Sequence, residues 1–190
     1  MATMTFPPLF QMWVAKYASG FCGVGRMMKI WGFWQEDTCP CCLLGKVETV
    51  GHLLHCPVAW MQKAFSKGVQ EIQEWMQRGS CPAIADTLGW FLAAQGGWAC
   101  TGGDIPPCLM EAAVEQDRIG WDWTLQGKLS WWWQQLQHQW LLEGGSKQSA
   151  QWWAADLSSH LLMFTHSLWT TRNGIIHEQD EDGLLMEEGH

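Results

Sequence analysis

The stretch from Cys39 to Cys56, CPCCLLGKVETVGHLLHC, constrains this chain more than any other. Cys39 and Cys42 form a Cys-x-x-Cys pair, nine residues separate Cys42 from His52, and three separate His52 from Cys56. Two thiolates on a tight turn can grip one side of a tetrahedron, and an imidazole and a thiolate on the next element can close the other. The spacing predicts a zinc knuckle with Cys39, Cys42, His52 and Cys56 as ligands. Cys41 and His55 are the alternatives. Adjacent Cys41 and Cys42 cannot easily face one ion, and His55, beside Cys56, points elsewhere. Gly45 offers a positive-φ position for reversing the chain after the first pair. Lys46 to Val50 then reads as a short strand or extended arm, and His52 to Cys56 as the first turn of a helix.

The chain has 190 residues and 8 cysteines, four of them within this knuckle. Clustered thiols beside two histidines point to metal ligation in a reducing compartment rather than to a disulfide framework. The N-terminus MATMTFPPLF has no basic start, apolar run or cleavage-like site. No stretch is apolar enough for a membrane span. The expectation is an intracellular protein, nuclear or cytoplasmic, with no membrane partner. Four protein ligands would leave no open position for an activated water, so the zinc is expected to be structural. Glu48 is the only acid inside the knuckle and no His-x-Glu signature is present. Asp117, Asp122 and Asp156 are isolated carboxylates, read as helix surface or caps, so no catalytic residue is assigned.

Helical periodicity dominates elsewhere, which predicts a mainly α fold: a helical body carrying the small N-terminal knuckle. Phe10, Trp13, Val14, Tyr17 and Phe21 share a face of a helix ending near Gly20. Met61, Phe65, Ile72 and Met76 mark a helix that stops at Gly79, and Ser80-Cys81-Pro82 opens another that buries Ile84, Leu88 and Phe91. Further helices are expected near 108–118, 128–142 and from 149 to about 173, the last with Trp153, Leu157, Leu161, Phe164 and Leu168 on one face. The organisation expected is 1–95 for the first helices and knuckle, 96–107 for a Gly/Pro loop, 108–178 for a Trp-rich helical region, and 179–190 for an acidic tail.

Sixteen tryptophans against one tyrosine imply large buried flat side chains, with some on a contact surface. Trp131, Trp132 and Trp133 lie about 100° apart on a helix, so two are expected buried and one partly exposed. The net charge of −8 argues against a general nucleic-acid clamp. Residues 1–63, however, hold five basic and three acidic residues, against six and sixteen in the remainder. Phosphate contacts are therefore expected from the first third, at Lys16, Arg26, Lys29, Lys46 and His55.

The runs WVAKYASGFCGVGRMMKIWGFWQEDTCPCC and ETVGHLLHCP resemble the zinc-binding segment downstream of the polymerase in retrotransposon reverse-transcriptase polyproteins of the protist and algal type. EQDRIGWDWTLQGKLSWWW and LWTTRNGIIHE resemble the region that follows it, so the likeness touches most of residues 11–178. It implies a zinc-stabilised accessory region that helps the parent element hold RNA or single-stranded DNA. The expected partners are such nucleic acids or the polymerase portion itself. The chain lacks an Asp-Asp metal pair and is too short for palm, fingers and thumb, so no polymerase activity is carried over. The alternative expectation is a zinc-stabilised helical scaffold for another polypeptide, without nucleic-acid binding.

Overall fold

A proline at its first position opens helix α1 (Pro8–Ala18), where the fixed φ suits a helix start and the missing N–H goes unused. In the computed structural model, which describes residues 6–96 and 105–177, the protein is mainly α-helical. Strand-like pairing among those residues is confined to a bridge between Thr38 and Val47. Residues 97–104 of the expected Gly/Pro loop and the acidic tail lie outside the described residues. The chain divides into two compact units, Met1–Phe65 with His166–His190 and Ser66–Thr165.

In the first unit α1 buries Phe10, Trp13 and Tyr17. Trp13 stacks on Tyr17 with ring centroids 4.9 Å apart, and His166 sets its edge against Trp13 at 4.8 Å and Phe10 at 5.1 Å. The helix ends in a Schellman turn: Gly20 takes φ +77°, and the Phe21 N–H donates to the Lys16 carbonyl at 2.8 Å. That turn corrects one expectation. Phe21 leaves the helical register and is exposed instead of joining the buried face. Two short helices follow, α2 (Gly25–Ile30) and α3 (Val50–His55), and then α4 (Ala59–Gly79). Helix α3 starts at Val50, before the expected first turn at His52, because the Thr49 hydroxyl accepts the His52 N–H at 3.0 Å and caps the helix there.

The second unit takes the rest of α4, then α5 (Pro82–Ala93), a 3₁₀ turn (Pro107–Leu109), α6 (Met110–Ile119), α7 (Trp121–Thr124) and α8 (Trp131–Glu143). It also takes most of α9 (Ala150–Ile176). The expected apolar stripes are the ones buried: Ile72 and Met76 on α4, Ile84, Leu88 and Phe91 on α5, and Leu157 and Leu161 on α9. A Cβ on Gly68 would stand 2.1 Å from the Phe164 ring, so this glycine lets α4 and α9 approach. Asp117 and Asp122 are exposed on their helices and Asp156 is half-buried.

Buried polar side chains tie this core together. Gln116, fully buried, accepts the indole N–H of Trp133 at 3.1 Å and the backbone N–H of Ser130 at 2.8 Å. It donates to the Thr124 hydroxyl at 2.8 Å. Gln137 accepts from Cys81 N–H at 2.9 Å and donates to the Gly79 carbonyl at 3.0 Å, bracing the α4–α5 turn. Of the three consecutive tryptophans only Trp133 is buried, whereas two were expected. Ser130 caps α8 through Trp132 N–H, and with Trp133 locked onto Gln116 the helix register turns Trp131 and Trp132 outward.

Candidate metal centre

The ligand-bearing segment is assembled by two short pieces of local structure. Cys39 N–H donates to the Lys46 carbonyl at 2.8 Å and Glu48 N–H to the Asp37 carbonyl at 2.7 Å, on either side of the Thr38–Val47 bridge. This paired arm is closed by left-handed residues at Leu43 (φ +53°) and Gly45 (φ +66°). Gly45 was legible as such a position. Leu43, whose φ most residues avoid, was not. The arm presents Cys39 and Cys42. Capped α3 presents His52 and, where the helix ends, Cys56.

One donor atom from each of Cys39, Cys42, His52 and Cys56 lies within 4.8 Å of all the others. The nearest approach described is Cys42 Sγ to His52 Nε2, at 3.5 Å. Cys39 and Cys56 are buried, Cys42 and His52 half-buried. A second group of Cys39, Cys41 and Glu48 also falls within 4.8 Å. Its carboxylate, however, is held by Arg172 and by the Gly25 N–H. The Cys3His set is therefore the one whose donor atoms no charged partner holds, and it can hold a metal ion. Of the two alternative ligands, Cys41 stands in that second group and His55 is exposed at the end of α3 outside either group.

Burial sets the protonation chemistry. Loss of water raises the Cys39 thiol above its ordinary value and pushes Cys56 up to about 11, neighbouring Cys39 adding to the latter. Burial also lowers His52, so its imidazole is held neutral, as a ligand requires. Thiols that resist ionisation alone become thiolates readily beside a cation, since the ion's charge outweighs the desolvation. Cys41, pushed up to about 12 by burial and then by Cys39, and Cys22, up to about 11 by burial, are poor nucleophiles.

The residues expected to meet phosphate are exposed on separate elements of the first unit: Lys16 on α1, Arg26 and Lys29 on α2, Lys46 on the arm, His55 on α3. Lys29 is paired with Asp37 at 3.2 Å. Arg172 on α9 is not among the site residues expected from the sequence. Its guanidinium donates to Glu48 through Nε (2.9 Å to Oε1) and Nη2, and both side chains are buried. A signal for it existed: counting by four from the buried Leu168 lands on Arg172, a charge on an apolar stripe that must find a partner.

Fold and site together define a mainly α protein with a Cys3His cluster able to hold a metal ion. Comparison of the chain with protein-family models, curated proteins and solved structures gives no match. Among the described residues no helix is long and apolar enough to cross a membrane.

Proposed function

We propose that this chain is a non-enzymatic accessory module, built around a structural zinc ion, that associates with nucleic acid as part of a retroelement reverse-transcriptase polyprotein. The observation that carries this reading is the convergence of four soft donors within 4.8 Å on the positively charged unit. Three thiolates and an imidazole suit zinc, whose bonds of about 2.3 Å to sulfur and about 2.0 Å to nitrogen set tetrahedral ligand atoms roughly 3.5–3.8 Å apart. With every corner taken by protein, no position remains for a water nucleophile, and the ion's role is to fix the backbone. Thiolate ligation of this kind belongs in a reducing, intracellular compartment.

Charge separates between the units in the sense the reading needs. The described part of the first unit carries six basic and three acidic residues (+3), whereas that of the second carries five and nine (−4). Lys16, Arg26, Lys46, Lys29 and His55 offer phosphate contacts, with RNA or single-stranded DNA as partner. The purified protein is expected to contain one zinc per chain. Labelled single-stranded RNA and DNA should bind at low salt, with log K falling by roughly 2–3 per tenfold rise in salt if three or four phosphates are contacted. Absence of binding at low salt removes the nucleic-acid part, and a folded, never-chelated sample without zinc removes the metal part.

One observation favours a second reading, a zinc-stabilised scaffold for another polypeptide such as the polymerase portion. An open groove of about 640 Å³ beside the knuckle is lined by Phe33, Trp34, Pro40, Leu43 and Ile176, with Leu43 83% and Phe33 72% exposed. Exposed apolar side chains around a concavity are typical of protein docking. A stable protein complex on sizing, formed without nucleic-acid affinity, selects this reading.

A further inference from the structure

The Cys39–Cys56 segment looks self-contained, yet its central residue is held from the far end of the chain. Glu48 lies between Val47, which closes the arm carrying Cys39 and Cys42, and Thr49, which caps the helix carrying His52 and Cys56. Its backbone is engaged on both sides, donating to Asp37 at 2.7 Å and accepting from Arg26 N–H at 3.0 Å. Its carboxylate takes Arg172 Nε at 2.9 Å, Arg172 Nη2, and the Gly25 N–H at 2.6 Å. Arg172 is fixed in turn: Nη1 donates to the Gly23 carbonyl at 3.3 Å and to Asn173 Oδ1 at 2.8 Å, and its Cζ lies 5.2 Å from the Trp34 ring centroid.

We infer that Glu48 and Arg172 are positioning residues of the metal centre, so that metal binding at the knuckle and ordering of the C-terminal turns of α9 are one linked equilibrium. The inference rests on the metal-binding reading above. Four ligands on two local pieces converge only if the angle between the pieces is fixed, and the residue at the joint is Glu48. A fork-shaped guanidinium holding both carboxylate oxygens fixes that joint in orientation as well as place. Because both side chains are buried, neither can trade its partner for water, and a missing partner leaves a charge to be relieved by opening the joint. Linkage is reciprocal, so whatever Arg172 adds to metal affinity, the metal adds to the stability of the Arg172 contact.

The full chain is titrated with zinc against a chromophoric chelator, and amide hydrogen exchange of residues 166–177 is followed with and without chelation. Arg172→Ala is expected to raise the zinc dissociation constant at least tenfold, and Arg172→Lys, which keeps the charge and loses the fork, to recover part of that loss. In the unsubstituted chain, zinc removal should accelerate exchange at 166–177 as well as within 39–56. The inference is overturned if zinc removal leaves exchange at 166–177 unchanged. It is equally overturned if Arg172→Ala, with helical circular dichroism retained, binds zinc as tightly as the unsubstituted chain. An unsubstituted chain that binds no zinc overturns the metal reading itself and the linkage with it.

Discussion

Replacing Gly25 by alanine adds a single methyl group at a crowded glycine of the first unit, beside the candidate metal centre. That Cβ would stand 2.9 Å from the Asp37 carbonyl oxygen, 3.1 Å from Glu48 Cβ and 3.2 Å from Glu48 Oε2. None of the three can yield cheaply. Asp37 O accepts the Glu48 N–H, and Glu48 is gripped by Arg172 on its other side. Overpacking of a tight interior costs about 1–3 kcal/mol. Pushing the carboxylate away also weakens the Gly25 N–H bond to Oε2, a charge-assisted bond worth about 1.5–3 kcal/mol. Part of the two costs is shared, so the expected loss is about 2–4 kcal/mol. Gly79→Ala is the matched control. Nothing lies within 4 Å of its added Cβ at the end of α4, and alanine there should be neutral or stabilise by about 0.4–1 kcal/mol. Urea unfolding followed by helical circular dichroism, with zinc held in excess, compares the two. If Gly25→Ala unfolds within about 0.5 kcal/mol of the unsubstituted chain, the close packing of α2 against the Glu48 joint is wrong.

Gly68→Ala would drive a methyl to 2.1 Å from Phe164, and a loss of about 1–3 kcal/mol or more is expected from thermal or urea unfolding. His166 has its pKa lowered from 6.5 by burial against Phe10, Trp13 and Trp169. The unfolded chain therefore takes up this proton first. Stability is full above 6.5 and falls as pH drops from there toward the lower folded value. His52 and His160 are shifted the same way, so His166→Phe should flatten only part of that slope in unfolding midpoints measured between pH 7.5 and 5.

What could be read from the sequence was whatever is decided locally. Cys39, Cys42, His52 and Cys56 sit on one turn and one short helix within eighteen residues, so spacing alone brings their donors together. The helices were legible wherever an apolar stripe met a stop, as at Gly79 or with Leu157 and Leu161. The misses arise where a distant partner decides. Periodicity separates Trp131, Trp132 and Trp133 by angle but cannot say which of them meets Gln116, fifteen to seventeen residues earlier. Phe21 continues the stripe of α1 on paper, and only the left-handed turn at Gly20 takes it out. Nor does any local pattern mark Gly25, because the crowding that requires it comes from residues 37 and 48. The Glu48–Arg172 pair spans 124 residues, beyond the reach of any window of periodicity.

That span also sets an order of events during synthesis. The four candidate ligands and Glu48 are added to the growing chain more than a hundred residues before Arg172. At about 5–20 residues per second, the interval is roughly 6–25 s. Throughout it the nascent knuckle carries a carboxylate whose counter-charge does not yet exist, and its four candidate ligands are without the clamp. The last turns of α9 therefore act as a late lock, closed only once translation has passed Arg172.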